Sequence, residues 1–180
     1  MARETLKKVN YKFFSAQRGF SKFPFNSLNC SFNSKDTNEN VLKNRKLVKN
    51  IICLNELFFI NQIHSNKVFI LEDKSQFSLK KNVDGVVTKL KDIGLSILTA
   101  DCSPIFLIDP NHNVIGACHA GWRGVISGII ENTIDKMITL GSLRKNIIAI
   151  IGPTIQKYSY EVGNDLALTV ESTNEFKSNN

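Results

Sequence analysis

Residues 103–120, "SPIFLIDPNHNVIGACHA", constrain this chain more than any other segment. Two apolar runs, "IFLI" and "VIGAC", flank "DPNHN", whose Asp, Pro and Asn residues supply the turn chemistry that reverses a strand. With 110–113 as the loop, Asp109 faces Val114 and Pro104 faces His119. Cys102 lies two residues before Pro104, so an extended chain directs it to the same face as His119. Such diagonal neighbours have Cβ atoms about 7–8 Å apart, and a turn within "TADC" would close that gap to ligand distance. The hairpin therefore brings a thiol and an imidazole together at its open end. Cys118 alternates to the opposite face and is expected in the core, while His112, inside the turn, is expected in solvent.

The surrounding pattern is mixed. "ELFFINQIH", "KVFIL", "VDGVVTKL", "LSIL" and "NIIAIIG" read as strands, the last of them buried. Val41, Leu42, Arg45 and Val48 line a helix capped by Asn38 or Asn40. Ile126, Ile129, Ile130, Ile134, Met137 and Ile138 recur at spacings of three and four, predicting one helix after "HAGWRG". "NDLALTVE" predicts a further helix, capped by Asn164 or Asp165. Strands with a few helices between them indicate a mixed α/β or α+β fold, and 180 residues without a visible linker indicate one domain, 1–180.

Charge and apolar runs exclude several functions. The net charge of +7 resides in residues 1–50, which hold eleven Lys and Arg against three acids. It is scattered there without aromatic interleaving, so no specific nucleic-acid partner is expected. No apolar run reaches the roughly 18 residues of a membrane span, and "MARETLKKVNYKFF" shows no secretory signal, which leaves a cytoplasmic location as the expectation. Cys30, Cys53, Cys102 and Cys118 show no C-x-x-C spacing and are expected as free thiols, core residues or ligands in preference to disulfide partners.

His64 in "NQIHSNKV" supplies a third donor. Two His and one Cys make a zinc set with an open fourth position, the form used when the metal acts on water or substrate. The first turn of the helix after "HAGWRG", with Arg123 before it and Gly124 beside it, offers N–H groups and a positive dipole end to an anion such as phosphate. Asp101 either orients a ligand, moves a proton or only forms the turn. Trp122 is expected to pack. Two other readings use the same residues: a metal-free hydrolase or deamidase with Cys102 as nucleophile and His119 as base, and a non-catalytic remnant. Three histidines cannot supply the imidazoles that several coppers need.

"NQIHSNKV", "DGVVT", "TADCSPIFLID", "ACHAGWRG" and "IGPTIQKYSYEVG" together resemble the laccase-domain family, also called the multicopper polyphenol oxidase-like or YfiH-type family. The resemblance runs from about Phe14 to Leu168, and "FFSAQRGFSKFPFNSLN" is a looser version of the family's glycine-rich N-terminal segment, one glycine short. It implies a layered α/β sandwich with mixed β-sheets flanked by helices. It implies one zinc ion, in preference to copper, on His64, Cys102 and His119. The implied activity is phosphorolysis of adenosine, inosine, guanosine and methylthioadenosine, with adenosine deamination also reported for members. Tyr160 and Glu161 in "YEVG" either line the pocket or cap the sheet. Family members continue for several dozen residues beyond that motif, whereas "STNEFKSNN" is a polar tail, so the family's C-terminal portion is expected to be missing.

Overall fold

A computed structural model of the chain describes residues 9–79 and 81–173. In order, its elements are α1 (Asn38–Ile51), β1 (Glu56–Phe59), β2 (Val68–Leu71), β3 (Gly85–Thr88), β4 (Ile93–Ser96), β5 (Ser103–Asp109), β6 (Val114–Ala120), α2 (Trp122–Ile126), α3 (Ile129–Thr139), β7 (Ile148–Ile151) and α4 (Asn164–Ser172). Five strands form one sheet in the order β2-β3-β6-β5-β7, and β1 pairs with β4 in a second sheet. β2–β3 and β1–β4 are parallel, the other pairs antiparallel, so the five-stranded sheet is mixed as expected. β5 and β6 take the predicted register, with Asp109 opposite Val114 and Pro104 opposite His119.

The central strand β6 is apolar along most of its length because both of its faces are covered. On one face α3 lays Ile129 and Met137 against Val87, Leu107, Val114 and Cys118. Gly116 permits that approach, since a Cβ there would lie 3.1 Å from Met137 Sδ. Burying a side chain such as Met137 stabilises the fold by about 1.5–3 kcal/mol. On the other face Phe58 of β1 and Ile93 of β4 pack on Val86, Ala117 and Leu71.

Several local expectations change. The apolar run after "HAGWRG" is not one helix: Gly128 takes φ +85° and separates α2 from α3. The break turns α3 so that Ile129, Thr133 and Met137 are buried, and Ile138 is left 39% exposed. β7 is an edge strand, not a buried one: among the described residues it pairs only with β5, and Ile151 is 66% exposed. The strand read as "LSIL" begins earlier, at Ile93. α1 is capped by Thr37, whose Oγ1 accepts from Asn40 N–H, and α4 by Gly163. Leu42 is exposed on α1, and the buried face includes Asn44 instead. Its amide donates to Ser21 Oγ, Ser27 O and Asn29 O and accepts from Phe20 N–H, which ties the N-terminal loop to the helix. Among the described residues no helix is long and apolar enough to cross a membrane. Most of the polar tail, residues 174–180, lies outside the described residues, as does the start of the N-terminal reading.

Candidate metal centre

The donor atoms of His64, Cys102 and His119 all lie within 4.8 Å of one another. Tetrahedral zinc, with bonds of about 2.0–2.3 Å, sets its donors roughly 3.4–3.8 Å apart. Closing around an ion therefore needs only about 1 Å of side-chain adjustment. The two imidazoles meet edge to face, centroids 4.8 Å apart. Gly121 forms the floor: a Cβ at that position would stand 3.1 Å from both Cys102 Sγ and His64 Cδ2. The three sequence-predicted ligands thus converge, beside a position where a side chain larger than that of glycine would crowd them.

Three connections hold these donors. His119 ends β6, placed by the hairpin register. Cys102 sits in the bend before β5, buttressed from "IGPTIQ": Thr154 Oγ1–H and Ile155 N–H both donate to Asp101 O, and Gly152 N–H donates to Pro104 O. The His64 loop is clipped to the Cys102 segment by Gln62, whose amide donates to Leu98 O at 2.7 Å and accepts from Leu98 N–H at 2.8 Å. Asn66 extends the attachment to the α2–α3 junction by donating to Ser127 O.

Asp84, just before β3, is the residue the sequence reading missed. Its carboxylate is buried and accepts from Ile63, His64 and Ser65 N–H, from Ser65 Oγ–H, and from His119 Nδ1 at 2.9 Å. Burial alone would raise its pKa, but these hydrogen bonds outweigh it and hold the carboxyl at about 2. The same bonds explain why His64 tolerates φ +59°, the left-handed region. An Asp before Gly reads locally as a turn residue, so nothing in "DGVVT" pointed to it.

Other candidates fall as follows. Asp101 is exposed beside Cys102. Burial, then the charges of Asp101 and Asp84, push the Cys102 thiol up. Arg123 lies inside α2, not in front of it, exposed with its guanidinium 4.2 Å from the Trp122 ring centroid. Gly124 is buried, and a Cβ there would be 3.0 Å from Ser65 O, so it packs on the His64 loop. Tyr160 and Glu161 are exposed. Cys118 is in the core, where desolvation lifts its thiol to about 12. His112 is not simply in solvent: its Nδ1 lies 2.8 Å from buried Asp109.

The triad borders a broad open trough that runs the length of the β5–β6 hairpin, from His119 and Cys102 to Pro110 and Asn113, and that Asp101 and Arg45 also line. Arg45 is held between Phe32 and Phe59, its guanidinium carbon 4.3 and 3.8 Å from their centroids, with Nε–H donating to Cys30 O. Burial lowers its pKa to about 10, which leaves it charged at neutral pH. No ion pair involves it among the described residues.

Residues 10–180 match the family model described as multi-copper polyphenol oxidoreductase laccase, a longer match than the motifs suggested and one that includes the polar tail. A purine nucleoside phosphorylase of Rickettsia prowazekii is 35% identical over 156 residues, covering 87% of this chain and 62% of that protein. One from Corynebacterium glutamicum is 34% identical over 157 residues, covering 86% and 64%. Among solved structures, the hypothetical protein YfiH of Bacillus licheniformis superposes with a TM-score of 0.81 at 30% identity, covering 87% of this chain and 62% of its own. YlmD of Geobacillus stearothermophilus gives 0.74 at 27%, with coverage of 87% and 62%. The chain thus spans about 62% of the length of the Rickettsia relative. On its motifs, its fold and these matches, the chain belongs to the laccase-like, YfiH-type family of multi-copper polyphenol oxidoreductase laccase proteins.

Proposed function

We propose that this chain is a single cytoplasmic domain carrying the zinc centre of a purine nucleoside phosphorylase, which converts adenosine, inosine, guanosine or methylthioadenosine plus phosphate to base and ribose 1-phosphate. The observation that carries this reading is the convergence of His64, Cys102 and His119 on one point, in a chain whose relatives bear that enzyme's name. Two imidazoles and a thiolate with one position open suit zinc, and a bound zinc ion supplies a Lewis acid for oxygen. The Cys102 thiolate and the Asp84 carboxylate together bring two negative charges, which a divalent cation balances.

In phosphorolysis, a phosphate oxygen bonds to the ribose anomeric carbon as the bond from that carbon to the purine nitrogen breaks. Positioning and charge stabilisation then supply most of the rate. Arg45, already desolvated and planar between two rings, receives the phosphate in this reading. Arg123, two residues after the Gly121 floor, assists from outside, with Gly124 keeping α2 close to the His64 loop. Asp101 holds or moves a proton beside Cys102. The metal-free alternative, Cys102 as nucleophile with His119 as base, does not need His64, so loss of activity in His64→Ala favours the metal centre over it.

The test is base release from adenosine and inosine by protein of measured metal content, with and without phosphate. The expected result is release that requires phosphate, yields equimolar ribose 1-phosphate, and disappears in His64→Ala and Arg45→Ala. Release independent of phosphate would assign a hydrolase; ammonia from adenosine would assign the deaminase activity. Zinc-loaded, folded protein that releases no base would overturn the enzymatic reading for this chain.

A further inference from the structure

The two oxygens of Asp84 serve different partners. Oδ1 accepts from His64 N–H at 2.9 Å and faces His119 Nδ1 at 2.9 Å; Oδ2 accepts from Ile63 N–H, Ser65 N–H and Ser65 Oγ–H at 3.2, 2.7 and 2.8 Å. The Ile63, His64 and Ser65 N–H groups can only donate, and Ser65 Oγ, which accepts from Lys67 N–H, gives its own hydrogen to Oδ2. An ionised carboxylate can only accept, so His119 must carry its proton on Nδ1. In the neutral ring, the form that ligates a metal, the lone pair then lies on Nε2. We infer that Asp84 is the positioning residue of the triad: it fixes the Nδ1–H tautomer of His119 and, through the 63–65 backbone, the course of the loop that carries His64, before any cation arrives.

The inference rests on the triad as a cation site but not on the nucleoside chemistry. An amide cannot replace the carboxylate here. Whichever way the side chain of Asp84→Asn were turned, its NH2 would meet either His64 N–H and His119 Nδ1–H, or the three donors from Ile63 and Ser65. Asp84 therefore differs from a buried carboxylate that merely ties two segments together, because its replacement changes which nitrogen of His119 is free. Loss of a partner behind a ligating imidazole weakens metal affinity by about 10–100-fold.

Two measurements test this. The first needs no variant: long-range proton–nitrogen correlation on nitrogen-labelled wild-type protein, stripped of metal and held at about pH 8, where free imidazole is neutral. His119 is expected as the Nδ1–H tautomer. Observation of Nε2–H on His119 overturns the inference whether or not any variant folds. The second is zinc affinity by competition with a chromophoric chelator for wild type, Asp84→Asn and Asp109→Asn, with circular dichroism confirming the fold of each. Asp84→Asn is expected to bind zinc about 10–100-fold more weakly, and Asp109→Asn as tightly as wild type. Folded Asp84→Asn with wild-type zinc affinity overturns the inference. If the tautomer and the affinities hold while no base is released from any nucleoside, the positioning role stands and the phosphorylase reading alone fails.

Discussion

The β5–β6 hairpin carries two histidine–aspartate pairs, one at each end, and their difference separates a functional imidazole from a structural one. At the turn, His112 Nδ1 lies 2.8 Å from Asp109; at the open end, His119 Nδ1 lies 2.9 Å from Asp84. Both carboxylates are buried and both also accept backbone N–H groups, Asp109 from Asn111, His112 and Leu143. What differs is the far side of the ring. The His112 side chain is 35% exposed and comes from the same turn as its partner, so the pair closes a local loop. The His119 ring is buried, its partner is 35 residues away, and beyond it stand His64 and Cys102. A His–Asp contact is therefore no evidence of function until the second ring nitrogen has a destination.

The comparison is broken most directly by removing each imidazole. His119→Ala deletes one of three donors, and zinc content is expected to fall from about one ion per chain to near zero, read by elemental analysis after dialysis against a weak chelator. His112→Ala should keep its metal and lose less than about 1 kcal/mol of stability, as partly exposed pairs do. Equal metal loss in both variants would mean that the triad is not the site. The next effect belongs to Asp109→Asn, which leaves some of the donors around Asp109 facing an amide. It is expected to lose about 1–3 kcal/mol in denaturant unfolding with metal content intact.

The hairpin, its register and the Cys102–His119 pair were legible because each follows from a short-range rule: turn residues between apolar runs, and period-2 alternation. His64, from a separate element, entered instead as a donor type that suits the same metal and through the family resemblance. Asp84 was not legible, since its donors come from Ile63, His64, Ser65 and His119, joined only when β3 pairs with β6. Gln62 escaped for the same reason, as its partner Leu98 lies 36 residues on. The break between α2 and α3 was missed because apolar spacing alone continues smoothly through Gly128. Arg45 was read only as one of four residues along one side of α1, since the two rings that hold it, Phe32 and Phe59, come from a loop and from β1. Long-range polar contacts leave no periodic trace, and they account for most of what the sequence hid.

A smaller change sharpens the comparison at the triad itself. In Gly121→Ala the new methyl would sit 3.1 Å from Cys102 Sγ and His64 Cδ2, tight enough that both must shift by a few tenths of an ångström. Zinc affinity is expected to fall by roughly tenfold, equivalent to about 1.4 kcal/mol, with the melting temperature of the metal-free protein barely altered. An unchanged affinity would show that the donors relax freely and that Gly121 is not a constraint.

The smallest expected effect is the acid dependence of the structural pair. Burial would raise the Asp109 pKa, yet the hydrogen bonds from His112, Leu143 and Asn111 outweigh it and the net shift is downward. A carboxyl whose folded pKa lies below its unfolded value of about 3.9 stabilises the fold fully above that value, and the contribution is lost as pH falls through the folded pKa. The stability gap between wild type and Asp109→Asn should therefore narrow as pH falls below about 4. Paired melting curves across that range read it directly, and other carboxyls cancel in the difference. A gap that widens on acidification would show that Asp109 is held protonated in the fold, and the turn-end pair would then differ from the triad pair in charge as well as in place.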